Sequence, residues 1–199
     1  LGSSTTASGN YSTSLGKSTT ASGSQSTAFG ESSTASGYAS LSTGRSNTAS
    51  GYNSTAMGRS STASGYYSTV IGYNATASDY ASFVIGQYNS SGSSATSAGS
   101  YDATAPAFVI GNGTSGNTSD AFKVLFNGNT TVSNDLTVSG DVVVSSDARL
   151  KANIVSLGST LSKLLLIDGK SYTMKKDGKQ KIGVLAQDIR EVFPELVSE

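Results

Sequence analysis

Ser146 and Lys151 stand five residues apart in the run Ser145-Ser146-Asp147-Ala148-Arg149-Leu150-Lys151, pairing a nucleophile with a candidate base. The chain has no histidine and no cysteine. That excludes His-based triads, thiol nucleophiles, disulfides and His/Cys metal sites, leaving Ser, Lys, Asp, Glu or Tyr for any catalysis. A lysine activates a serine only when neutral, so desolvation or a nearby cation such as Arg149 must push its pKa down. Asp147 suits the positive end of a helix beginning near Ala148, with Ser145 or Ser146 as its N-cap. The same residues also read as an ordinary capped helix start with a solvated lysine. No metal and no cofactor are implied.

The elements that would position this pair begin with composition. Lys plus Arg and Asp plus Glu number 13 each in 199 residues, so no net field steers the chain toward nucleic acid. No apolar run is long enough to span a bilayer, and membrane insertion is not expected. The chain opens on Leu1 without an initiator Met or a signal-peptide pattern, which reads as a fragment or processed form. Leu, Ile, Val and Phe make up only 39 of the 199 residues, so order must come from pattern.

The pattern is a repeat of 14 residues: Ala7-Ser8-Gly9 returns at Ala21, Ala35, Ala49 and Ala63, then decays at Ala77-Ser78-Asp79. A second glycine column, Gly16, Gly30, Gly44, Gly58, Gly72 and Gly86, runs half a period out of phase. Each half suits a short strand plus a turn, with glycine expected to supply positive φ at the corners. The object is a β-solenoid with two strands per coil, rising roughly 4.8 Å per coil. Because Ala and Gly share one face, its interior is thin, and the bulky column Leu15, Phe29, Met57, Ile71 and Ile85 must lie outside. Such a stripe on a lone monomer is a liability that neighbouring copies would remove, so it is expected to face them. Tyr38, Tyr52, Tyr66 and Tyr80 follow the glycine corners, either capping them or offering ring faces to a ligand. The threonine column Thr6, Thr20, Thr34, Thr48, Thr62 and Thr76 suits strands.

The Ala-Ser-Gly and Ser-Thr-Ala-x-Gly columns resemble the head repeats of YadA-type trimeric adhesins over about residues 5 to 111. The resemblance implies a left-handed parallel β-roll in a homotrimer. Asp79, Ser93 and Ser100 depart from the glycine columns, which suggests irregular last coils. From Ala105 to Val144 the alternation becomes that of ordinary short strands, including Leu136-Thr137-Val138 and Val142-Val143-Val144. Asn112-Gly113, Asn127-Gly128 and Ser139-Gly140 punctuate them, so they either wind around a fibre axis or pair as hairpins. Residues 134 to 142 resemble shaft segments of phage tail fibres. The reading is therefore mainly β, with a roll over 1–111, a short shaft over 112–145 and a small α+β segment over 146–199.

That last segment is marked by charge, since residues 1–145 carry 10 charged side chains and residues 146–199 carry 16. Leu161, Leu164 and Leu165 share a face of a short helix ended by Asp168-Gly169; Ser171–Met174 and Lys181–Leu185 flank Asp177-Gly178 as a hairpin; a last helix spans about Gln187–Phe193. Ser146-Asp147-x-Arg149-Leu150-Lys151, Ile182-Gly183-Val184-Leu185-Ala186-Gln187-Asp188 and Phe193-Pro194-Glu195-Leu196-Val197 are similar to the intramolecular chaperone of endosialidases, peptidase family S74. That family trimerises, guides folding of the fibre before it and releases itself by cutting before the serine. The resemblance implies Ser146 as nucleophile, Lys151 as base and Ser145-Ser146 as the bond cut, once. Met174 stands where the family often has a large aromatic, and Glu199 comes before the family's long C-terminal helix. The expected function is a phage tail fibre, in a virion, that attaches to a host-surface glycan or protein. A bacterial surface adhesin is the alternative, and a glycan depolymerase lacks the paired carboxylates it would need.

Overall fold

A computed structural model describes residues 2–139, 152–155, 158, 160–175, 178–194 and 197. The chain divides into two compact units between Ser139 and Gly140. In the first, short and long strands alternate: β1 (Gly2–Ser3), β2 (Thr6–Ala7), β3 (Thr13–Lys17), β4 (Thr20–Ala21), β5 (Thr27–Glu31), β6 (Thr34–Ala35) and β7 (Leu41–Arg45). The series continues through β8 (Thr48–Ala49), β9 (Thr55–Arg59), β10 (Thr62–Ala63), β11 (Thr69–Tyr73), β12 (Thr76–Ala77) and β13 (Phe83–Gln87). Odd-numbered strands form one parallel sheet and even-numbered strands the other. Each coil sets like positions opposite one another, Leu15 on Phe29 and Ala21 on Ala35. The repeat is a β-solenoid of 14-residue coils, as its period requires.

The interior is one small side chain deep from each wall. Ala28, Ala56, Val70 and Val84 of the long strands and Ala21, Ala35, Ala49, Ala63 and Ala77 of the short ones are wholly buried. A column of serines seals one corner: Ser40, Ser54 and Ser68 each donate Oγ to the carbonyl of the glycine three residues earlier, at 2.7–2.8 Å. Those hydroxyls are buried without leaving a polar group unpaired, which would cost about 1–3 kcal/mol each.

Glycine serves a further purpose beyond the one expected of it: Gly16, Gly30, Gly44, Gly58 and Gly86 do take positive φ, 96–124°, but inside strands rather than at the corners. The left-handed corners fall every seven residues on non-glycine positions, among them Ser18 (φ 53), Gln25 (φ 60), Ala39 (φ 49) and Asn53 (φ 52). Glycine is needed instead where successive coils touch. A Cβ on Gly37 would lie 2.0 Å from the carbonyl oxygen of Gly51, and one on Gly30 (φ +114) would lie 2.0 Å from that of Gly44. Close backbone approach, more than corner geometry, sets both columns.

After β13 the chain detours through residues 88–105 and returns as β14 (Pro106–Asn112), which pairs parallel with β13, Ile85 opposite Ile110. The columns therefore run one rung further than the 14-residue period. β15 (Asp120–Leu125) and β16 (Thr130–Val132) then add to the same sheet antiparallel, as hairpins. Leu136-Thr137-Val138 forms no strand, contrary to its alternation, and no strand among the described residues pairs with it. Val142-Val143-Val144 and the helix start near Ala148 lie outside the described residues.

The second unit contains α1 (Leu161–Leu164), the antiparallel pair β17 (Lys170–Thr173) and β18 (Gln180–Gly183), and α2 (Ala186–Val192). These match the expected helix, hairpin and last helix within a residue or two. Phe193 is its buried apolar side chain among the described residues, while Leu161, Leu165, Leu166 and Ile182 are more than two-thirds exposed.

Gly37→Ala, at a glycine without positive φ, should lower stability by more than about 4 kcal/mol, since backbone must shift to admit the methyl. Ala39→Gly should raise it by about 0.5–1 kcal/mol by relieving the left-handed corner. Denaturant melts of the two variants give opposite signs if closeness and corner geometry are separate constraints.

Candidate functional site

The outer face of the long-strand sheet carries the bulky column in register: Leu15, Phe29, Thr43, Met57, Ile71, Ile85 and Ile110 oppose one another in turn. Phe29 and Ile71 are exposed, while Leu15, Met57 and Ile85 are partly covered by their own neighbours. The thin interior forces this placement. Beside it Phe83 stacks on Phe108, centroids 5.7 Å apart, and Phe108 meets Phe122 edge-on at 6.0 Å. The apolar band thus widens toward the C-terminal end of the roll.

The corner tyrosines stack mainly on each other. Tyr38 and Tyr52 lie face to face at 4.9 Å and 10°, and Tyr52 contacts Tyr66 at 5.9 Å. Tyr67, unforeseen from sequence, joins them by edge contacts to Tyr52 at 5.8 Å and Tyr80 at 5.3 Å. A strand spacing of about 4.8 Å suits such stacking. The sequence column showed the ring ladder, but Tyr67 sits one residue off it at a left-handed corner (φ 60).

Residues 88–105 are held by two side chains whose roles a repeat pattern does not reveal. Asp79, wholly buried where other coils have glycine, accepts on Oδ1 from the amides of Thr96 at 2.5 Å and Ser97 at 2.9 Å. Asn89 copies a backbone rung with its carboxamide: Oδ1 accepts from Thr76 N and Nδ2 donates to Thr76 O, both at 2.8 Å. It completes the exposed ladder of β12. The departures at Asp79, Ser93 and Ser100 thus mark an irregular end to the short-strand sheet, as their types suggested. Asp120 in turn accepts from the amides of Ser90 and Ser91, each at 2.9 Å. Beside them opens a polar cavity of about 490 Å³ lined by Asn112, Ser119, Asp120 and Lys123 among others.

The edge of the long-strand sheet carries charge. Glu31 meets Lys17 at 3.4 Å and Arg45 at 3.6 Å. Arg59, next to Arg45 in register, lies over the Tyr73 ring at 5.4 Å. A hydrogen bond from Tyr88, and then the Arg59 charge, lower the Tyr73 phenol's pKa; the same bond raises that of Tyr88. In the second unit Lys170 contacts Asp168 at 2.7 Å, which raises the lysine's pKa and lowers the carboxylate's. Both are exposed, so the pair adds little to stability.

Ser145, Ser146, Asp147, Arg149 and Lys151 lie outside the described residues. The nearest described segment after them has Ile154 and Val155 largely exposed. Among the described residues no cluster of acids could hold a metal ion, and no helix is long and apolar enough to cross a membrane.

Residues 1–89 match the YadA head domain repeat in six overlapping segments, and residues 146–198 match the chaperone of endosialidase, peptidase S74. The chain therefore places a stretch similar to YadA head repeats before a stretch similar to the endosialidase chaperone. Comparison with curated proteins and with solved structures finds no match.

Asp79→Ala should leave the coils folded but release the loop, costing about 2–3 kcal/mol for two orphaned amides. Amide hydrogen exchange at Thr96 and Ser97 should accelerate while that at Val70 stays slow.

Proposed function

We propose that the chain is a homotrimeric phage tail fibre whose roll attaches to a host surface and whose C-terminal segment drives trimer folding before severing itself. The carrying observation is the joining of YadA head repeats to an endosialidase-type chaperone. Both families are trimeric, and each half of this chain leaves apolar surface uncovered. Phe29 and Ile71 stand out from the roll, and Leu161, Leu165 and Ile182 from the second unit. Three parallel copies would bring the Leu15, Phe29, Met57, Ile71 and Ile85 columns together. A bacterial surface adhesin is the second reading, favoured by the head repeats.

The chaperone match begins at Ser146, which supports cleavage at Ser145-Ser146. In that step neutral Lys151 Nζ takes the proton of Ser146 Oγ, and Oγ attacks the Ser145 carbonyl carbon. The peptide C–N bond breaks, its nitrogen leaves as an amine after taking a proton from the lysine, and an ester joins Ser145 to Oγ. Water hydrolyses the ester to free the Ser145 carboxylate and the Ser146 hydroxyl. Arg149 would keep Lys151 neutral by charge repulsion, and Asp147 would support the helix start. The reaction is a single turnover on this chain with no substrate in trans. Tyr38, Tyr52, Tyr66 and Tyr80 are candidate contacts to a host glycan or protein.

Expressed within the complete fibre gene, wild type should yield a mass shorter by the segment after Ser145, while Ser146→Ala and Lys151→Ala stay full length. Cleavage in either variant would sink the dyad. Separately, Ile71→Glu should shift the native mass from trimer toward monomer, and an unchanged trimer would remove the apolar column from the interface.

A further inference from the structure

The strand column that ends each long strand reads Lys17, Glu31, Arg45, Arg59, Tyr73, Gln87 and Asn112, each opposite the next in register. From Arg45 onward every member is exposed. Two like charges, Arg45 and Arg59, sit one strand spacing apart, an arrangement that destabilises a sheet unless something offsets it. Glu31 already contacts Lys17 and Arg45. Arg59 has only the Tyr73 ring beneath it and faces no carboxylate among the described residues.

Nor could a neighbouring copy supply one. Between Glu31 and Asp79 the sequence has no acid at all, and Asp79 is wholly buried with its Oδ1 on two amides. In a parallel trimer of in-register copies, the neighbour's coils at the height of Arg59 likewise carry no acid. Arg45 and Arg59 therefore leave surplus positive charge on two adjacent coils, exposed in the single chain.

Beyond Arg59 the column offers neutral hydrogen-bonding groups. Tyr73 and Tyr88 meet edge-on at 5.4 Å, and Asn74 donates to the Tyr88 hydroxyl at 3.0 Å. Asn112 closes the column and also lines the polar cavity of about 490 Å³, where Lys123 adds a further positive charge. The one acid in that cavity lining, Asp120, is occupied by the Ser90 and Ser91 amides.

We propose that Arg45, Arg59, Tyr73, Gln87 and Asn112 form a track for an extended acidic polysaccharide lying along the roll. Carboxylates of the polymer accept from the two guanidiniums, and its hydroxyls meet Tyr73, Gln87 and Asn112. The strand spacing of about 4.8 Å is comparable with the length of one pyranose residue, so successive sugars meet successive rungs. Guanidinium suits a carboxylate better than ammonium does, because its donors form a planar fork. This inference rests on the reading of the chain as a trimeric surface-binding fibre.

Calorimetry on the full chain with polygalacturonate, neutral dextran and inorganic polyphosphate tests it. Polygalacturonate should bind and weaken with added salt; dextran should not bind. Arg59→Ala should lower affinity about threefold to fivefold, Arg59→Lys should recover part of it, and Glu31→Gln should raise it above wild type. Unchanged affinity in Arg59→Ala, equal binding of dextran, or polyphosphate bound as tightly as the uronate would each overturn the track. Native mass on the same sample separates the two levels. A trimer that ignores polygalacturonate overturns the track alone, whereas a monomer overturns the fibre reading and the in-register argument with it.

Discussion

Successive coils of the roll approach so closely that a single methyl group has no room between Gly30 and Gly44 or between Gly37 and Gly51. That closeness fixes where each coil must carry glycine. Within each coil the two facing walls leave room only for small side chains, chiefly alanine, serine and valine. Bulk is therefore driven to the outer face, where Phe29 and Ile71 stand in water. A lone roll gains little from burial, because the area removed from water by Ala and Ser is small against the chain entropy of ordering each coil. The second unit likewise buries little, with Phe193 as its buried apolar side chain among the described residues.

Much of this was legible in the sequence because a strict period is a strong signal. The 14-residue spacing gave two strands per coil, and the alternation of Ala with Gly placed Leu15 and Phe29 outside. The hairpin and helices of the second unit were marked by Asp177-Gly178, by the leucine spacing at Leu161, Leu164 and Leu165, and by Pro194. What escaped was geometry that residue type does not encode. Serine, alanine and asparagine occupy the left-handed corners because the coil imposes that conformation on whatever stands there, including Ala39. The return of the chain from Asn89 to Pro106 into one more parallel rung was hidden, since the period breaks while the register resumes at Ile85 and Ile110. Asp79 looked like a lapse in a glycine column and is an anchor. Its carboxylate fits there because the next turn departs from the stack. The proposed pairing of Ser146 with Lys151 rests on their spacing and on the motifs downstream, and both residues lie outside the described ones.

The two units divide the work by chemistry. The roll presents long columns of like residues in register, one per coil. The segment after Ser145 concentrates charge in few residues, the condition under which a lysine's protonation can be shifted by its neighbours. The sharp change in composition near Ser145 therefore separates two regions suited to different chemistry.

The register of the columns carries a consequence for how such a chain changes over generations. Because successive coils repeat the same backbone pairing and the same glycine contacts, removing or duplicating one whole coil leaves the ladder of the remaining coils as it was. A gene encoding near-identical repeats recombines readily with itself in units of one coil. The roll is in that sense a ruler with regular divisions, able to lengthen or shorten its reach in steps of about 4.8 Å while the capped end at Asn89 and everything beyond it stay untouched.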